Sequence, residues 1–219
     1  MEHTYFKKVN MPEMPLDIKK ILDDAIAKAK VSDQDEGWVG KDKSFDFRQV
    51  HYNGETVRSC RAHHNELPTA VQDWIRENVI PDWLYATLAI THPVSSLHGM
   101  HTGRTRRYLF MHLLETGGDN VITRGFQEKG YPLARLAEGT NITIENYDDH
   151  EFELVDEMQI MPGDWVIFDT KVLHDVINIK GMRVAIHLAL DSNFDVDNWI
   201  YTDEPGEFAS ANYKQGTTH

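Results

Sequence analysis

Two stretches in the first third of the chain place their apolar residues at helical spacing. In residues 16–30, LDIKKILDDAIAKAK, leucine, isoleucine and alanine recur every three or four positions, and Pro15 stands just before the first turn. A second stretch of this kind follows Pro68 and stops at Pro81, a residue that cannot continue a helix. Two amphipathic helices are therefore predicted.

Other parts of the chain have the patterns of strands. Residues 45–52 alternate between polar and apolar and end in the turn pair Asn53-Gly54, which predicts a hairpin. From residue 83 onward, short β-rich runs follow one another with no helix-length segment between them. This favours a sandwich or jelly roll over alternating strands and helices. About eight strands are predicted in this part: 85–91, 107–115, 120–126, 141–147, 152–160, 165–169, 173–179 and 183–190.

The length of the chain supports one substantial core. With 219 residues, 41% of them hydrophobic, a single domain over residues 1–219 is expected. We predict a mainly β protein in which a double-stranded β-helix (jelly roll) core, at about 83–190, carries flanking N-terminal helices within about 1–82. Residues 191–219 are polar and are predicted to form a loosely held tail.

Charge and cysteine content narrow the functional classes. The formal net charge is −13, which argues against a sequence-independent nucleic-acid binder. The basic cluster Arg104, Arg106 and Arg107 lies in a glycine-containing turn beside histidines, and it favours an anionic substrate, either a small molecule or a peptide. Cys60 is the only cysteine and the chain has no apolar run of membrane-spanning length. We therefore expect a cytoplasmic protein without a membrane partner.

The most informative segment is 161–190. Pro162-Gly163 suits a type II turn, and Lys180-Gly181 is interpreted as a two-residue hairpin turn. In that hairpin, His174 would lie opposite His187 and Asn178 opposite Arg183, so all four side chains would share one face. Four polar residues on an inner face suggest a cavity. The gap of roughly 13 Å between the levels of His174 and Arg183 suits a short dicarboxylic acid bound to a metal at one end and to Arg183 at the other.

A second group of histidines lies in 97–114, LHGMHTGRTRRYLFMHLL. His101 precedes a run in which Tyr108, Phe110 and His112 share one strand face, interpreted as the cavity face. Imidazoles from two separate strands are the protein ligands of a non-haem iron(II) site, usually with one carboxylate. We therefore predict His101 and His174 as the metal ligands.

These segments resemble the 2-oxoglutarate/iron(II) oxygenases, and among them the aspartyl/asparaginyl β-hydroxylase branch. His101-Thr102-Gly103 is similar to the H-x-G form found in that branch, and GDWVIFDTKVLHDV is similar to its segment around the distal iron ligand, here His174. RYLFMHLL resembles its strand ending in Met-His-Leu, which implies that His112 contacts the co-substrate carboxylate. The place of the co-substrate arginine is filled by Arg183. The resemblance covers about residues 90–190.

Two features depart from the branch. Phe110 stands where the branch usually has a second arginine, so either Arg183 and His112 suffice or a side chain such as Arg124 compensates. The interval between His101 and His174 is also longer, which implies an added loop or strand pair within 130–157.

The resemblance implies an enzyme with iron(II), 2-oxoglutarate and O2 as cofactor and co-substrates, and with His101, His174 and Arg183 as its catalytic residues. The expected reaction is hydroxylation of an amino acid side chain. Because Gly103 cannot supply a carboxylate, a water or an anion is expected at the third metal position. A halogenase that uses the same open position, and a non-catalytic jelly-roll module that binds a metal or ligand, are the alternatives.

Several histidines also have ordinary interpretations. His92, His98 and His187 are interpreted as structural or surface residues, since a histidine in an apolar strand is more often a satisfied core residue than a ligand. His98 competes with His101 for the metal, and the glycine two places after His101 favours His101. Asp169 is either an acceptor for a liganding imidazole or only the last residue of its strand.

Overall fold

The computed structural model describes residues 6–29, 49–52, 55–58, 63–91, 108–128, 152–170 and 172–190. Within these ranges the chain is mainly β, as predicted, with two helices and eleven strands. The helices are α1 (Leu16–Lys28) and α2 (Thr69–Asn78). The strands are β1 (Phe6–Val9), β2 (Gln49–Tyr52), β3 (Glu55–Arg58), β4 (His63–Glu66), β5 (Tyr85–Thr91), β6 (Tyr108–Glu115), β7 (Ile122–Glu128), β8 (Phe152–Met158), β9 (Trp165–Asp169), β10 (Leu173–Ile177) and β11 (Arg183–Leu190).

The core strands form two antiparallel sheets. The larger sheet has the order β1-β9-β6-β11-β5-β4 and the smaller has the order β10-β7-β8, while β2 pairs with β3 by itself. From β8 to β11 successive strands alternate between the smaller and the larger sheet, so the chain passes back and forth between the sheets. This crossing confirms the predicted jelly roll.

The two predicted helices are present and cover one face of the larger sheet. Pro15 and Pro68 immediately precede them, where a missing N–H costs nothing. Leu22 of α1 and Ile75 of α2 belong to the same buried cluster as Ile186 in β11. Neither described helix is long and apolar enough to span a membrane.

The other face of the larger sheet is turned toward the smaller sheet, and we call it the inner face. Met111, Val166 and Ala185 lie on this face in a second buried cluster with Phe6, and Met158 of the smaller sheet packs against that cluster. Alternate residues of a strand point to opposite faces. One face of β11 therefore meets the helices and the other meets the interior of the sandwich.

The first third of the chain contributes strands to the larger sheet, in addition to the helices and the hairpin that the sequence predicts. β1 and β4 join the larger sheet at its two edges, β1 beside β9 and β4 beside β5. Both are four residues long and lack an extended alternating pattern, which explains why the sequence did not indicate them. The predicted strand at 141–147 and the tail at 191–219 lie outside the described residues.

Candidate functional site

Arg183 is a buried cation on the inner face. It is the first residue of β11 and shares its strand face with Ala185 of the inner cluster. Its side chain is 7% exposed, and its Nη1 has no hydrogen-bond partner among the described residues. Burial lowers the pKa of Arg183 to about 10, so the guanidinium is still charged at neutral pH. A buried charge of this kind is costly unless an anion accompanies it.

The connection between β10 and β11 sets the position of Arg183. The carbonyl oxygen of Gly117 accepts hydrogen bonds from Lys180 N at 2.8 Å and Gly181 N at 2.7 Å. Gly117 itself has φ +77°, and a Cβ there would lie 2.8 Å from the carbonyl oxygen of Gly181. The turn that follows β6 is therefore packed directly against the backbone that leads into Arg183.

These contacts correct the hairpin expected at Lys180-Gly181. β10 pairs with β7 in the smaller sheet, whereas β11 pairs with β5 and β6 in the larger one. The turn amides bond to Gly117 in the turn after β6, so the connection passes between the sheets. Asn178, with φ 66°, donates from Nδ2 to the carbonyl oxygen of Asn120 at 2.9 Å and is exposed. The prediction that Asn178 shares the face of Arg183 is therefore wrong.

Thr91 is a polar neighbour of Arg183 that the sequence analysis did not identify. It lies directly opposite Arg183 in the pairing of β5 with β11, and it is 7% exposed. Residues opposite each other in an antiparallel pair project from the same face. The side chains of Thr91 and Arg183 therefore project from the same face, and only the strand register reveals this.

His174 faces the interior from the smaller sheet. Its side chain is 6% exposed, and its ring meets Phe168 of the inner cluster edge-on at 5.4 Å. Nδ1 lies 2.7 Å from the carbonyl oxygen of Val172. A carbonyl can only accept, so Nδ1 carries the proton, and in the neutral ring Nε2 bears the lone pair. A backbone carbonyl at one ring nitrogen is the usual support for an imidazole that binds metal through the other.

His174 and Arg183 thus face the same interior from different sheets. β10 and β11 are joined through residues 178–182, with Ile177 and Arg183 at the two ends of that connection. His174 is three residues before Ile177, a distance of roughly 10 Å along a strand. An offset of this kind was predicted, although the hairpin that was supposed to produce it does not exist.

His112 lies on the opposite face of the larger sheet from Arg183. It pairs with Ile186, which belongs to the helix-covered cluster, and it stacks on Trp165 with ring centroids 4.4 Å apart. It shares its face with Phe110, as predicted, but that face is covered by helices and is not the cavity face. The expectation that His112 and Arg183 meet on one face is wrong, because the register of β6 against β11 puts them on opposite sides.

Arg124, the suggested compensating cation, forms an ion pair with Asp175. Its Nε and Nη2 bond to the Asp175 carboxylate at 2.9 and 2.5 Å, and Asp175 is buried. Asp175 follows His174 directly, so its side chain is on the other face of β10. The ion pair ties β10 to β7 behind His174 and does not reach toward Arg183.

Other predicted site residues lie outside the described part of the chain, namely His92, His98, His101, Gly103, Arg104, Arg106 and Arg107. Within the described ranges, no group of three histidine, cysteine, aspartate or glutamate side chains is arranged to hold a metal ion. Asp169 shares its strand face with Trp165 on the helix side, away from Phe168 and its contact with His174. The Val172 carbonyl oxygen is an acceptor for the ring of His174.

The comparisons with known proteins include a weak structural likeness. The crystal structure of AviO1 from Streptomyces viridochromogenes is similar at 12% sequence identity, over 88% of this chain and 92% of that chain, with a TM-score of 0.41. No protein-family model and no curated protein matches the chain. A likeness of this size does not define a family.

Proposed function

We propose that this protein is a non-haem iron(II) oxygenase that depends on 2-oxoglutarate and hydroxylates an amino acid side chain. The observation that carries the proposal is the buried, charged guanidinium of Arg183 on the inner face, with Nη1 unpaired among the described residues. It is supported by His174 in the facing sheet, whose Nδ1 is held by a carbonyl. Both residues lie within the part of the chain, about residues 90–190, that resembles the β-hydroxylase branch.

The described residues fit the co-substrate. A dicarboxylate could bind Arg183 through two charge-assisted hydrogen bonds, and the Thr91 hydroxyl would donate a further one. Ala185 and Leu113 of the inner cluster, which lie next to Arg183 on the same face, would keep water from that end of the site. His112 is left out of this proposal, since it lies on the other side of the sheet.

His174 is the described residue that would bind a metal at the other end of the site. His174 would bind iron(II) through Nε2, with His101 as the second predicted ligand and a water or an anion in the place that Gly103 leaves open. When bound, iron(II) and 2-oxoglutarate would supply the activation of O2 that hydroxylation requires. The Val172 carbonyl would keep His174 in the tautomer whose Nε2 can bind the metal.

The test is an anaerobic titration of the purified protein with iron(II) and 2-oxoglutarate, followed by the weak visible charge-transfer band of the ternary complex. We expect the band in the wild type. Arg183→Ala should raise the 2-oxoglutarate requirement roughly ten- to a hundredfold, as expected for a lost charge-assisted contact. Arg183→Lys should recover only part of that affinity, because an ammonium lacks the planar fork. His174→Ala should lose iron binding.

The control variants are Arg76→Ala, which removes an exposed arginine, and His98→Ala. Both should leave the titration unchanged. Metal binding without a 2-oxoglutarate-dependent band would favour the jelly-roll binding module. An unchanged 2-oxoglutarate requirement in Arg183→Ala would contradict the co-substrate site. A chlorinated product, once a substrate is known, would favour the halogenase.

A further inference from the structure

The inner face of the larger sheet has a polar part that the proposed co-substrate site does not use. Glu66, Thr87 and His187 lie directly opposite one another across β4, β5 and β11, so they form a row on one face. His187 shares that face with Arg183, four residues earlier in the same strand. His64 lies on the same face, one pair further along β4, opposite Ala89.

His64 contacts both Thr87 and His187. Nδ1 of His64 lies 3.1 Å from Oγ1 of Thr87, and the rings of His64 and His187 have centroids 6.0 Å apart. We call Glu66, Thr87, His187 and His64 the polar row. Two imidazoles, a hydroxyl and a carboxylate on adjacent strands can both donate and accept hydrogen bonds within a small area.

The polar row ends where the apolar inner cluster, against which the smaller sheet packs, begins. Continuing across the larger sheet from His187, the same row passes to Met111 and then to Val166, and both belong to the inner apolar cluster. His64 and His187 are half-buried and Glu66 is exposed, whereas Met111 is buried. The polar row therefore lines an accessible part of the inner face, beside the dry part.

The row lies toward the proposed metal end of the interior. Arg183 stands at the connection between β10 and β11, and His187 is four residues away from it, roughly 13 Å along the strand. His174 is likewise set back from that connection in the facing sheet. A molecule held by the polar row would therefore lie near the level of His174 and not beside Arg183.

We propose that the polar row is a substrate subsite for the head group of a free α-amino acid. His64 would donate from Nδ1 to Thr87 Oγ1, which leaves the Thr87 hydroxyl and the imidazole of His187 to donate hydrogen bonds to the substrate carboxylate, and Glu66 would accept from its ammonium group. A residue inside a peptide has neither a free α-carboxylate nor an α-ammonium group, so it would give Glu66 and the hydrogen-bond donors no charged partner. This inference rests on the proposed function for its chemistry but not for its binding test.

The test measures binding of the twenty common L-amino acids, and of their N-acetyl amides, to the full-length protein by saturation-transfer NMR without iron. At least one free amino acid should bind, and its blocked form should bind at least roughly tenfold more weakly, as expected when two charged contacts are lost. Thr87→Val, which keeps the shape of the side chain, should weaken binding roughly three- to tenfold. Glu66→Gln should do the same, while the exposed control Glu153→Gln should not.

The outcomes separate the two proposals. If the charge-transfer band forms with iron(II) and 2-oxoglutarate but no free amino acid binds, the amino acid subsite is wrong and the oxygenase proposal stands. If amino acids bind as expected and the band does not form, the amino acid subsite stands and the oxygenase proposal is wrong. Blocked derivatives that bind as tightly as the free forms, or a Glu66→Gln variant with unchanged affinity, would also overturn the subsite.

Discussion

At the scale of single residues, His112 shows how burial changes the pKa of a histidine. It is 8% exposed and stacked on Trp165, and its Nδ1 has no partner among the described residues. Burial lowers the pKa of His112 from 6.5 to about 4, while a hydrogen bond to the backbone of Asp164 opposes the shift. His112 is therefore neutral in the folded protein near pH 7, and its face of β6 is dry.

This burial predicts a pH-dependent stability. Because the folded pKa is below the unfolded one, the unfolded state binds the extra proton, and stability is greatest above pH 6.5 and falls as the pH drops toward about 4. The loss attributable to this one residue is up to about 3 kcal/mol. His112→Phe keeps a ring against Trp165 but cannot take up a proton. Urea unfolding between pH 7 and pH 4 should show a shallower decline for the variant than for the wild type, and equal slopes would contradict the assignment.

Strand alternation was predictable for these residues, while the identity of each face was not. Period-two alternation correctly grouped Phe110 with His112, and it grouped Arg183 with His187. Which group faces the helices depends on the pairing of Ile186 with His112. A pairing between distant strands leaves no signal in the local pattern. For that reason the sequence analysis assigned His112 to the wrong face of the sheet.

At the scale of elements, the junction between β10 and β11 depends on one glycine in another loop. Gly117 has φ +77°, and a Cβ there would lie 2.8 to 3.2 Å from the backbone of residues 181–183. Residues with a side chain rarely adopt this backbone conformation. The added Cβ would also meet backbone atoms, which cannot rotate away as the end of a flexible side chain can. The turn after β6 thus holds the start of β11 in place.

We expect Gly117→Ala to destabilise the protein by on the order of 2–4 kcal/mol and also to weaken 2-oxoglutarate binding, since the displaced backbone includes Arg183 N. Gly163→Ala is the matched control. Gly163 also has a positive φ, +95°, but apart from its chain neighbours no atom of the described residues lies within 4 Å of the Cβ that alanine would add. Its cost should be about 1–2 kcal/mol, with unchanged binding. Chemical unfolding and calorimetric titration measure the two effects, and equal behaviour of the two variants would contradict the role of Gly117.

At the scale of the whole molecule, β1 helps to hold the two sheets together. Phe6 lies in the larger sheet beside β9, with its ring 5.9 Å from that of Phe168. Its backbone N donates to the Asp156 carboxylate at 3.2 Å, and its ring packs over Gly125, so both contacts reach the smaller sheet. A short edge strand thereby closes one side of the sandwich.

Phe6→Ala should cost about 3–5 kcal/mol in unfolding free energy, because the side chain is 1% exposed and a cavity would remain between the sheets. Leu84→Ala serves as the control, since Leu84 is 57% exposed and its loss should change stability by about 0.5 kcal/mol or less. Thermal or urea unfolding of both variants checks the difference. A Phe6→Ala variant as stable as Leu84→Ala would mean that β1 is dispensable.

The sequence by itself determined those features of the protein that depend on neighbouring residues. Helical periodicity after Pro15 and Pro68, short β-rich runs, and the turn at Pro162-Gly163 all follow from local preferences, and α1, α2 and the strands of the jelly roll confirm them. The tertiary structure alone decided which strands pair. It separated β10 from β11, turned His112 toward the helices and brought Thr91 beside Arg183. Strand pairing is decided by contacts between residues far apart in the chain and by the burial of whole faces, so a local pattern specifies a strand but not its neighbour.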